Sequence, residues 1–255
     1  MSKPPEQLPL PLVGRLDKHL AYLKLPHIAA YYAETATTAA AKGWSHIQYL
    51  ATLVEQEAAS KQDRATKRRI KQARFPVLKT LDQFNWSWPE NINRLQVENL
   101  FQLDFVKNKA NVIFLGGVGL GKTHLATALA YHACLSGTKV LFATAIDVIN
   151  TLAAAQEGGR FQLEMKKYLR PDLLVLDELG YLPIDKRGAD LLFQVISHRY
   201  EQGAMIISTN RAFKHWPEIF NNDAILTSAI LDRLLHHAET VLIEGKSFRM
   251  KEMVE

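Results

Sequence analysis

The feature that most constrains this chain is the glycine-rich string GGVGLGKT at residues 116–123. It fits the pattern G-x-x-x-x-G-K-[ST], follows the apolar run NVIFL and precedes a helical pattern. Glycines let backbone N–H groups curl around phosphate oxygens, and the N-terminus of a helix adds the positive end of its dipole. A strand, this loop and a helix in that order predict a nucleoside triphosphate site.

Two side chains of the loop carry specific chemistry. Lys122 supplies a point charge to the β- and γ-phosphates, and the Thr123 hydroxyl can join the coordination shell of Mg²⁺. The backbone of the loop and the residue after it complete the predicted phosphate contacts. The predicted cofactor-binding residues are Gly116, Gly117, Val118, Gly119, Leu120, Gly121, Lys122, Thr123 and His124.

From residue 111 onward, short apolar strands alternate with helical patterns. This alternation is typical of a parallel sheet covered by helices on both faces. The predicted fold class is therefore α/β, a three-layer P-loop core with a five-stranded parallel sheet. The strands are predicted at 111–115, 139–144, 172–177, 204–209 and 240–244. The helices are predicted at about 122–135, 146–155, 160–169, 187–202 and 224–237.

Polar residues at the ends of two later strands predict the rest of the site. The apolar run LLVL leads into Asp177 and Glu178, where Asp177 would orient Mg²⁺ and Glu178 would polarise a water for attack on the γ-phosphate. Asn210 follows the next strand and would contact the γ-phosphate or that water. An Asp-Glu pair beside a phosphate loop predicts hydrolysis in addition to binding.

The N-terminal part predicts a small all-α domain. Helical patterns cover about 15–42, with Pro26 marking a break, and about 44–74, with Ser45 as the N-cap. The second pattern carries apolar residues at helical spacing, so we expect that face to be buried. These residues are Ile47, Leu50, Leu53 and Val54.

These patterns divide the chain into three parts. Residues 1–75 form the basic helical domain, 76–110 a linker and docking segment, and 111–255 the nucleotide-binding domain. In the middle segment, aromatic residues stand at every second position of a short stretch. This spacing predicts an extended chain whose aromatic side chains pack against the next domain. They are Phe84, Trp86 and Trp88.

Positive charge is concentrated in the N-terminal part. Residues 1–110 hold 16 Lys and Arg against 10 Asp and Glu, whereas the remainder is close to neutral. A basic stripe at i, i+3 and i+4 steps can track a phosphate backbone, although it is equally the pattern of a solvated helix face. The stripe consists of Arg64, Lys67, Arg68, Lys71 and Arg74.

Other features narrow the class of protein. Cys134 is the single cysteine, falls on an apolar helix face and is expected in the core, and a reducing cytoplasmic location is expected. The first residues lack the apolar region of a signal peptide, and no run of about 18 apolar residues predicts a membrane span. His236 and His237 are adjacent on a predicted helix and should point apart, which argues against a two-histidine metal site.

The strings GGVGLGKTHLA, LLVLDELGYLP, STN and ILDRLLHHAE, in this order, resemble the IstB-like transposition helper ATPases. These are AAA+ proteins of the initiator clade, related to DnaC-type helicase loaders and to DnaA, and the resemblance covers about residues 15–250. It implies that Lys122 and Thr123 are the Walker A pair and Asp177 and Glu178 the Walker B pair. Asn210 would be sensor 1.

The resemblance also assigns Arg233 as an arginine finger that acts on the ATP of a neighbouring subunit. The residues alone leave this role open against that of an exposed Arg paired with Asp232 or Glu239. The chain ends soon after the last predicted strand, so no full C-terminal lid is expected, and Arg249 is the one late candidate for a sensor 2 arginine.

The family is expected to bind ATP and Mg²⁺, to form homo-oligomers on double-stranded DNA and to deliver that DNA to a partner transposase. ATP hydrolysis would regulate the assembly. In related proteins an extra helix between the second and third strands lines the DNA channel. The matching positions here are Lys166, Lys167 and Arg170.

Three alternatives remain at this point. A helicase loader would share the ATP site but act on a replicative helicase and single-stranded DNA. A small-molecule kinase is disfavoured because it would need no Asp-Glu pair for water activation. A pure binding module, in which ATP is a structural ligand, is distinguished by the effect of Glu178→Gln on hydrolysis.

Overall fold

The computed structural model describes residues 10–248, with side chains from residue 12 onward. The chain divides into two compact units, Met1–Lys67 and Arg68–Glu255, which we call the N-terminal and C-terminal units. Within the described residues, no helix combines the length and the apolar character needed to cross a membrane.

Three helices begin the described chain: α1 at Leu10–Tyr22, α2 at Pro26–Lys42 and α3 at His46–Ala73. Pro26 occupies the first turn of α2, where its missing N–H is not needed, so the predicted break at this proline is confirmed. Ser45 caps α3 as predicted. Its hydroxyl accepts the Gln48 N–H at 3.2 Å, while the Gln48 side chain accepts the Ser45 N–H at 2.8 Å. This reciprocal capping box sets the start of α3.

A buried carboxylate holds α3 against the start of α2. Glu57 is 4% exposed and accepts the backbone N–H groups of His27 at 2.8 Å and Ile28 at 3.0 Å. Arg64 donates to it from one side at 3.1 Å. Burial would raise the pKa of Glu57, but these three donors together lower it. A negative charge at this helix N-terminus satisfies free N–H groups and interacts favourably with the helix dipole.

The predicted burial of the first half of α3 is wrong for three of its four residues. Leu53 is 4% exposed, but Ile47, Leu50 and Val54 are 80%, 59% and 51% exposed. The apolar spacing correctly indicates one face of a helix. It contains no information on whether the same chain supplies the surface that covers that face.

The C-terminal unit contains a six-stranded sheet in the order β1-β6-β2-β5-β4-β3. All neighbouring strands are parallel except β1 and β6, which are antiparallel. The sequence predicted five strands, and β1 is the one it missed, because two residues are too short to show an alternating pattern. The strands are β1 Asn91–Ile92, β2 Asn111–Gly116, β3 Val140–Thr144, β4 Leu173–Leu179, β5 Ala204–Thr209 and β6 Ala238–Glu244.

Helices cover both faces of this sheet and confirm the three-layer α/β architecture. One apolar cluster includes Leu152, Leu192 and Ile230, and the other includes Leu125 and Cys134, which is buried as predicted. The helices are α4 Arg94–Leu100, α5 Asp104–Lys107, α6 Lys122–Leu135, α7 Ala145–Glu157, α8 Phe161–Leu169, α9 Lys186–Arg199, α10 Trp216–Ile219 and α11 Ala224–Leu235. A short 3₁₀ turn, Phe213–His215, precedes α10.

The segment between α3 and β2 is structured and packs on the sheet. Asn93 caps α4 by accepting the Gln96 N–H at 3.0 Å, and Val97 is fully buried in the same cluster as Leu125. Phe84 also joins that cluster at 7% exposure. Phe84 therefore contributes to the core of the C-terminal unit.

A buried guanidinium holds the connection between α9 and β5. Arg199 is 1% exposed and donates to four backbone carbonyls. The acceptors are Tyr168 at 2.9 Å, Pro171 at 3.0 Å, Asp172 at 3.3 Å and Ala204 at 2.7 Å. Burial lowers the pKa of Arg199 to about 10. With a pKa in that range the group remains charged at neutral pH, and its planar fork matches several acceptors at once.

Candidate nucleotide-binding site

The glycine-rich loop connects the carboxyl end of β2 to the first residue of α6. Gly119 and Gly121 adopt φ values of 77° and 87°, a region that side chains disfavour. A Cβ atom on Gly121 would also lie 2.6 Å from the Phe84 ring. Residue 121 therefore has to be glycine both for its conformation and for the close approach of Phe84.

The two predicted side chains of the loop lie at its helical end. The Lys122 ammonium donates to the Gly117 carbonyl at 2.6 Å, across the mouth of the loop. The Thr123 hydroxyl donates to Asp177 Oδ1 at 3.0 Å, so the structure brings together the two residues predicted to hold Mg²⁺. A hydroxyl and a carboxylate are oxygen donors of the kind that Mg²⁺ prefers.

A β-bulge in β4 sets the directions of Asp177 and Glu178. Leu176 pairs with Ile207 and Leu179 with Thr209, so two residues of β4 face the single residue Ser208. Such a bulge re-aims a side chain. Here Asp177 is 3% exposed, whereas its neighbour Glu178 is exposed to solvent.

Glu178 adopts a strained backbone conformation, with φ at 60°. For a residue with a side chain this left-handed region costs about 1–2 kcal/mol. The Glu178 N–H donates to the Ser208 hydroxyl at 3.0 Å, which helps to hold the strained residue in place. Strain of this kind is common at functional sites, where the surrounding structure over-determines one conformation.

Ser208 belongs to the string STN, but the sequence indicated no role for it. Its hydroxyl donates a short hydrogen bond to Asp177 Oδ1 while it accepts the Glu178 N–H. It therefore positions both acidic residues. The available signal was the pair of hydroxyl residues, Ser208 and Thr209, that ends the apolar strand AMIIST, but the strand register is needed to place Ser208 opposite the bulge.

Asn210 follows β5 at the carboxyl edge of the sheet. It is half-buried, and its Oδ1 atom is inaccessible to solvent and accepts no hydrogen bond from any described residue. An unpaired buried acceptor costs about 1–3 kcal/mol, which a donor in the site would recover. The strand that carries Asn210 lies between β2 and β4, and therefore between the loop and the acidic pair.

A cavity of about 640 Å³ opens beside the loop. Its volume lies in the range of small-molecule and cofactor sites. One wall is the glycine-rich loop and the other comes from the segment after α3, together with Phe248. The lining residues from outside the loop are Pro76, Val77, Leu78, Lys79, Gln83, Phe84, Asn85, Trp88, Pro89, His124, Thr127 and Phe248.

Two hydrogen bonds attach this second wall to the rest of the C-terminal unit. The Trp88 indole donates to the Lys246 carbonyl at 2.9 Å, and its ring meets Phe248 edge-on at 5.1 Å. His124 Nε2 lies 2.9 Å from the Thr80 carbonyl, so this nitrogen carries the hydrogen. Burial lowers the pKa of His124, which keeps the imidazole neutral near pH 7. The sequence predicted that Phe84, Trp86 and Trp88 pack as hydrophobic residues. It contained no signal that Phe84 and Trp88 also line a cavity.

Arg233 lies near the amino ends of the parallel strands, whereas the loop lies at their carboxyl ends. It belongs to α11, which leads into the amino end of β6, whereas the loop leaves the carboxyl end of the parallel strand β2. Its guanidinium stacks on Phe193 at 5.0 Å and donates to the Ala229 carbonyl at 2.7 Å. Among the described residues it forms no ion pair with Asp232 or Glu239. The six paired residues of β2 span about 20 Å, so Arg233 cannot serve its own site.

The predicted basic stripe is exposed but does not lie wholly on a helix. In the N-terminal unit Arg64 pairs with Glu57 at 3.1 Å and Lys67 with Asp63 at 2.8 Å. In the C-terminal unit Arg68, Lys71 and Arg74 are exposed. Helix α3 ends at Ala73, and Arg74 turns to a φ of 60°, which removes it from the helical stripe.

The other predicted DNA contacts lie on and after α8. Lys166, Lys167 and Arg170 are exposed, and Lys167 pairs with Glu164 at 2.5 Å. Arg170 follows the last helical residue, Leu169. Arg249, the candidate for a sensor 2 arginine, lies outside the described residues.

Solved structures with the same fold define the class. The chain is similar to the DnaC helicase loader, with a TM-score of 0.54 and 22% identity over 65% of this chain and 96% of that one. It is also similar to the replication initiator DnaA bound to AMPPCP and single-stranded DNA, with a TM-score of 0.53 and 24% identity over 69% of this chain and 54% of that one. The fold is that of the AAA+ P-loop proteins.

Sequence comparisons define the family within that class. The model of the IstB-like ATP binding proteins matches residues 18–255. An ATP-binding protein of insertion sequence IS21 from Pseudomonas aeruginosa is 39% identical, over 93% of this chain and 89% of its own length. The corresponding protein of insertion sequence IS5376 from Geobacillus stearothermophilus is 36% identical, over 93% and 94%. The chain belongs to the IstB-like family of insertion-sequence ATP-binding proteins.

Proposed function

We propose that this protein is an ATP-driven assembly factor for transposition. It hydrolyses ATP with Mg²⁺, forms homo-oligomers on double-stranded DNA and delivers that DNA to a partner transposase in the cytoplasm. The observation that carries the hydrolytic part is the bulge that buries Asp177 against Thr123 and turns Glu178 outward. The insertion-sequence origin of the relatives supports the role in transposition.

The side chains divide the chemistry between them. Lys122 neutralises charge on the β- and γ-phosphates, and it exchanges its bond to the Gly117 carbonyl for the phosphate oxygens. Thr123 and Asp177 hold Mg²⁺, which when bound neutralises developing negative charge on the phosphates. Glu178 accepts a proton from the attacking water, and Asn210 orients that water through its amide.

The wall formed by the segment after α3 holds the adenine. Val77, Leu78, Trp88 and Phe248 offer apolar and aromatic surface next to the loop. A base stacks favourably on such surface. The backbone and the Gln83 and Asn85 side chains supply polar groups on the same wall, which a purine edge requires.

Arg233 acts on the ATP of a neighbouring subunit. Its position at the opposite end of the sheet favours a role across a subunit interface. The stack on Phe193 and the bond to the Ala229 carbonyl, one turn earlier on α11, hold the half-buried guanidinium against the helix until a partner site approaches. A charge delivered in this way stabilises the transition state only when subunits assemble.

The basic residues bind the phosphate backbone of duplex DNA. The exposed cations Arg68, Lys71 and Arg74 and the exposed group Lys166, Lys167 and Arg170 are the proposed contacts, together with Arg64 and Lys67. Backbone contacts carry no direct sequence information, so the binding is expected to be largely independent of sequence. It should weaken steeply with salt, with a log–log slope of roughly −0.9 per neutralised phosphate.

The decisive experiment measures assembly by light scattering and negative-stain microscopy. The full chain is mixed with duplex or single-stranded DNA, each with ATP, ADP or no nucleotide. We expect large particles only with ATP and duplex DNA, and Lys122→Ala should abolish them. Lys107→Ala is the matched control, because Lys107 is an exposed lysine paired with Asp104 at 2.8 Å and lies outside the cavity.

Two other outcomes would favour a different function. Assembly confined to single-stranded DNA would contradict the proposal and favour a helicase loader, the class of the DnaC structure with the same fold. Assembly with undetectable ATP turnover would make the protein a binding module in which ATP is a structural ligand.

A further inference from the structure

Three exposed side chains lie close together near the amino ends of β5 and β6, at the end of the sheet opposite the phosphate loop. Glu201 Oε1 lies 3.7 Å from His237 Nε2 and 4.0 Å from His236 Nδ1, and the two imidazole rings are 4.1 Å apart. One donor atom from each residue falls within 4.8 Å of the others. The expectation that the two histidines point apart is wrong, because α11 ends at Leu235 and both lie in the turn that leads to β6.

We propose that Glu201, His236 and His237 form a binding site for a divalent transition-metal ion of the zinc class. Two imidazole nitrogens and one carboxylate oxygen are a known zinc donor set that leaves one position open. Ligand bonds of about 2.0–2.2 Å place tetrahedral donors roughly 3.3 Å apart. The present separations are longer by up to about 1.5 Å, which small rotations of exposed side chains can close.

The backbone that carries the two histidines is held by a buried amide. Asn111 is 6% exposed, and its side chain donates to the Leu234 carbonyl at 3.0 Å and accepts the Met205 N–H at 3.2 Å. Its backbone N–H donates to the His237 carbonyl at 2.7 Å. Asn111 therefore ties the end of α11 to the start of β5, and these are the two segments that present the ligands.

The backbone that carries Glu201 is held equally well. Glu201 lies in the turn between α9 and β5 with φ at 57°. The N–H groups of Gln202 and Gly203 both donate to the Arg199 carbonyl, at 2.9 and 3.1 Å. The buried Arg199 guanidinium in turn donates to the Ala204 carbonyl at 2.7 Å. Only the side chains of the three ligands need to move, which limits the entropy lost on binding.

Tyr200 supplies a further oxygen at this site. Its hydroxyl lies 2.8 Å from His236 Nδ1, and its ring is tilted against the same imidazole. Because this hydrogen bond uses the same nitrogen that faces Glu201, metal binding at Nδ1 would release the Tyr200 hydroxyl, which can then take the open position.

A bound ion would join the end of α11 to the turn before β5. Arg233 lies on α11, three residues before His236. Metal binding would thus reduce the motion of the helix end that carries the proposed finger. The site itself contains no residue of the nucleotide cavity, so metal binding and ATP hydrolysis can be tested separately.

The test is a metal titration of the full chain, prepared without a histidine tag and treated with a chelator. Equilibrium dialysis with Zn²⁺ and visible absorption with Co²⁺ are measured without nucleotide and with Mg²⁺ in excess. We expect about one equivalent per chain at the highest-affinity site. His236→Ala, His237→Ala and Glu201→Gln should each weaken it by roughly tenfold or more, since even loss of an outer-shell partner costs about that much.

His215→Ala is the matched control. His215 lies 3.0 Å from Glu218, so it forms a histidine–carboxylate pair with a single imidazole, and its loss should leave the titration unchanged. Thermal unfolding of each variant shows that the fold is retained. Absence of zinc binding by the wild-type chain, or full binding by the double variant His236→Ala/His237→Ala, would overturn the proposal.

Discussion

Ser208→Ala is the sharpest test of how the acidic pair is held. The hydroxyl makes two bonds at once: it donates to the buried Asp177 carboxylate and accepts the Glu178 N–H at 3.0 Å. A hydrogen bond to a charged group contributes about 1.5–3 kcal/mol and a neutral one about 0.5–1.5 kcal/mol. Asp177 keeps the bond from Thr123, so we expect the variant to lose about 2–4 kcal/mol of unfolding free energy.

The effect on turnover follows from the bond to Glu178. Without its acceptor, the strained residue is free to leave the conformation with φ at 60°. An orienting interaction of about 1–2 kcal/mol corresponds to roughly a fivefold to thirtyfold decrease in kcat. The KM for ATP should change less than kcat, because Asp177, the proposed Mg²⁺ ligand, keeps its bond from Thr123. Steady-state hydrolysis with duplex DNA and urea denaturation measure the two effects.

Ser197→Ala is the matched control for that experiment. The Ser197 hydroxyl, on α9, is inaccessible to solvent and makes no hydrogen bond to any described residue. Its removal deletes an unpaired buried hydroxyl, so the unfolding free energy should not decrease, and kcat should be unaltered. If Ser208→Ala behaved like Ser197→Ala, the assignment of Ser208 as a positioning residue would be refuted.

Three further experiments test the subunit interface, the buried thiol and the buried guanidinium. Glu178→Gln and Arg233→Ala should each lower kcat by about a thousandfold. An equal mixture of the two variants should recover activity, because about a quarter of its subunit interfaces pair an intact Arg233 with an intact Glu178. No recovery on mixing would exclude action in trans. Burial raises the pKa of the Cys134 thiol to about 11, so at pH 8 only about one thiol in a thousand is ionised, and Ellman's reagent should react only after unfolding. Rapid reaction of the native chain would show that Cys134 is accessible. Arg199→Lys should cost about 2–4 kcal/mol in urea denaturation, because three ammonium donors cannot reach four separate carbonyls; an unchanged midpoint would contradict this.

The nucleotide-binding core could be predicted because its signals are local. The loop motif lies within eight residues, and the strands around it are short apolar runs separated by helical periods. Helix α6 and strand β5 have the bounds that the sequence predicted, 122–135 and 204–209. Parallel connectivity then brings the carboxyl ends of β2, β4 and β5 together, as expected for this architecture.

Features that depend on partners distant in the sequence could not be predicted. Strand β1 exists only because Asn91 and Ile92 meet the far end of β6. Ser208 acquires its role from strand register and from a bulge in the neighbouring strand. Neither produces a periodic pattern in the sequence, because each is a pairing between positions 30 or more residues apart.

The histidine pair shows a second kind of failure. Adjacent side chains diverge on a helix, and the predicted helix extended to residue 237. Helix α11 instead stops at Leu235. His236 is its C-cap and keeps helical dihedral angles, and the chain turns from there into β6. A difference of two residues at a helix end, the least reliable part of any helix assignment, is enough to reverse the inference about metal ligands.

The wall of the cavity beside the phosphate loop has a practical consequence. It is formed by the stretch of chain between α3 and β1, which includes Lys79 as a lining residue. We expect a ligand that fills the cavity to shield Lys79 and to slow cleavage by trypsin after this residue. Cleavage at this single lysine, followed over time by mass spectrometry, would therefore report occupancy of the site without any label on the nucleotide.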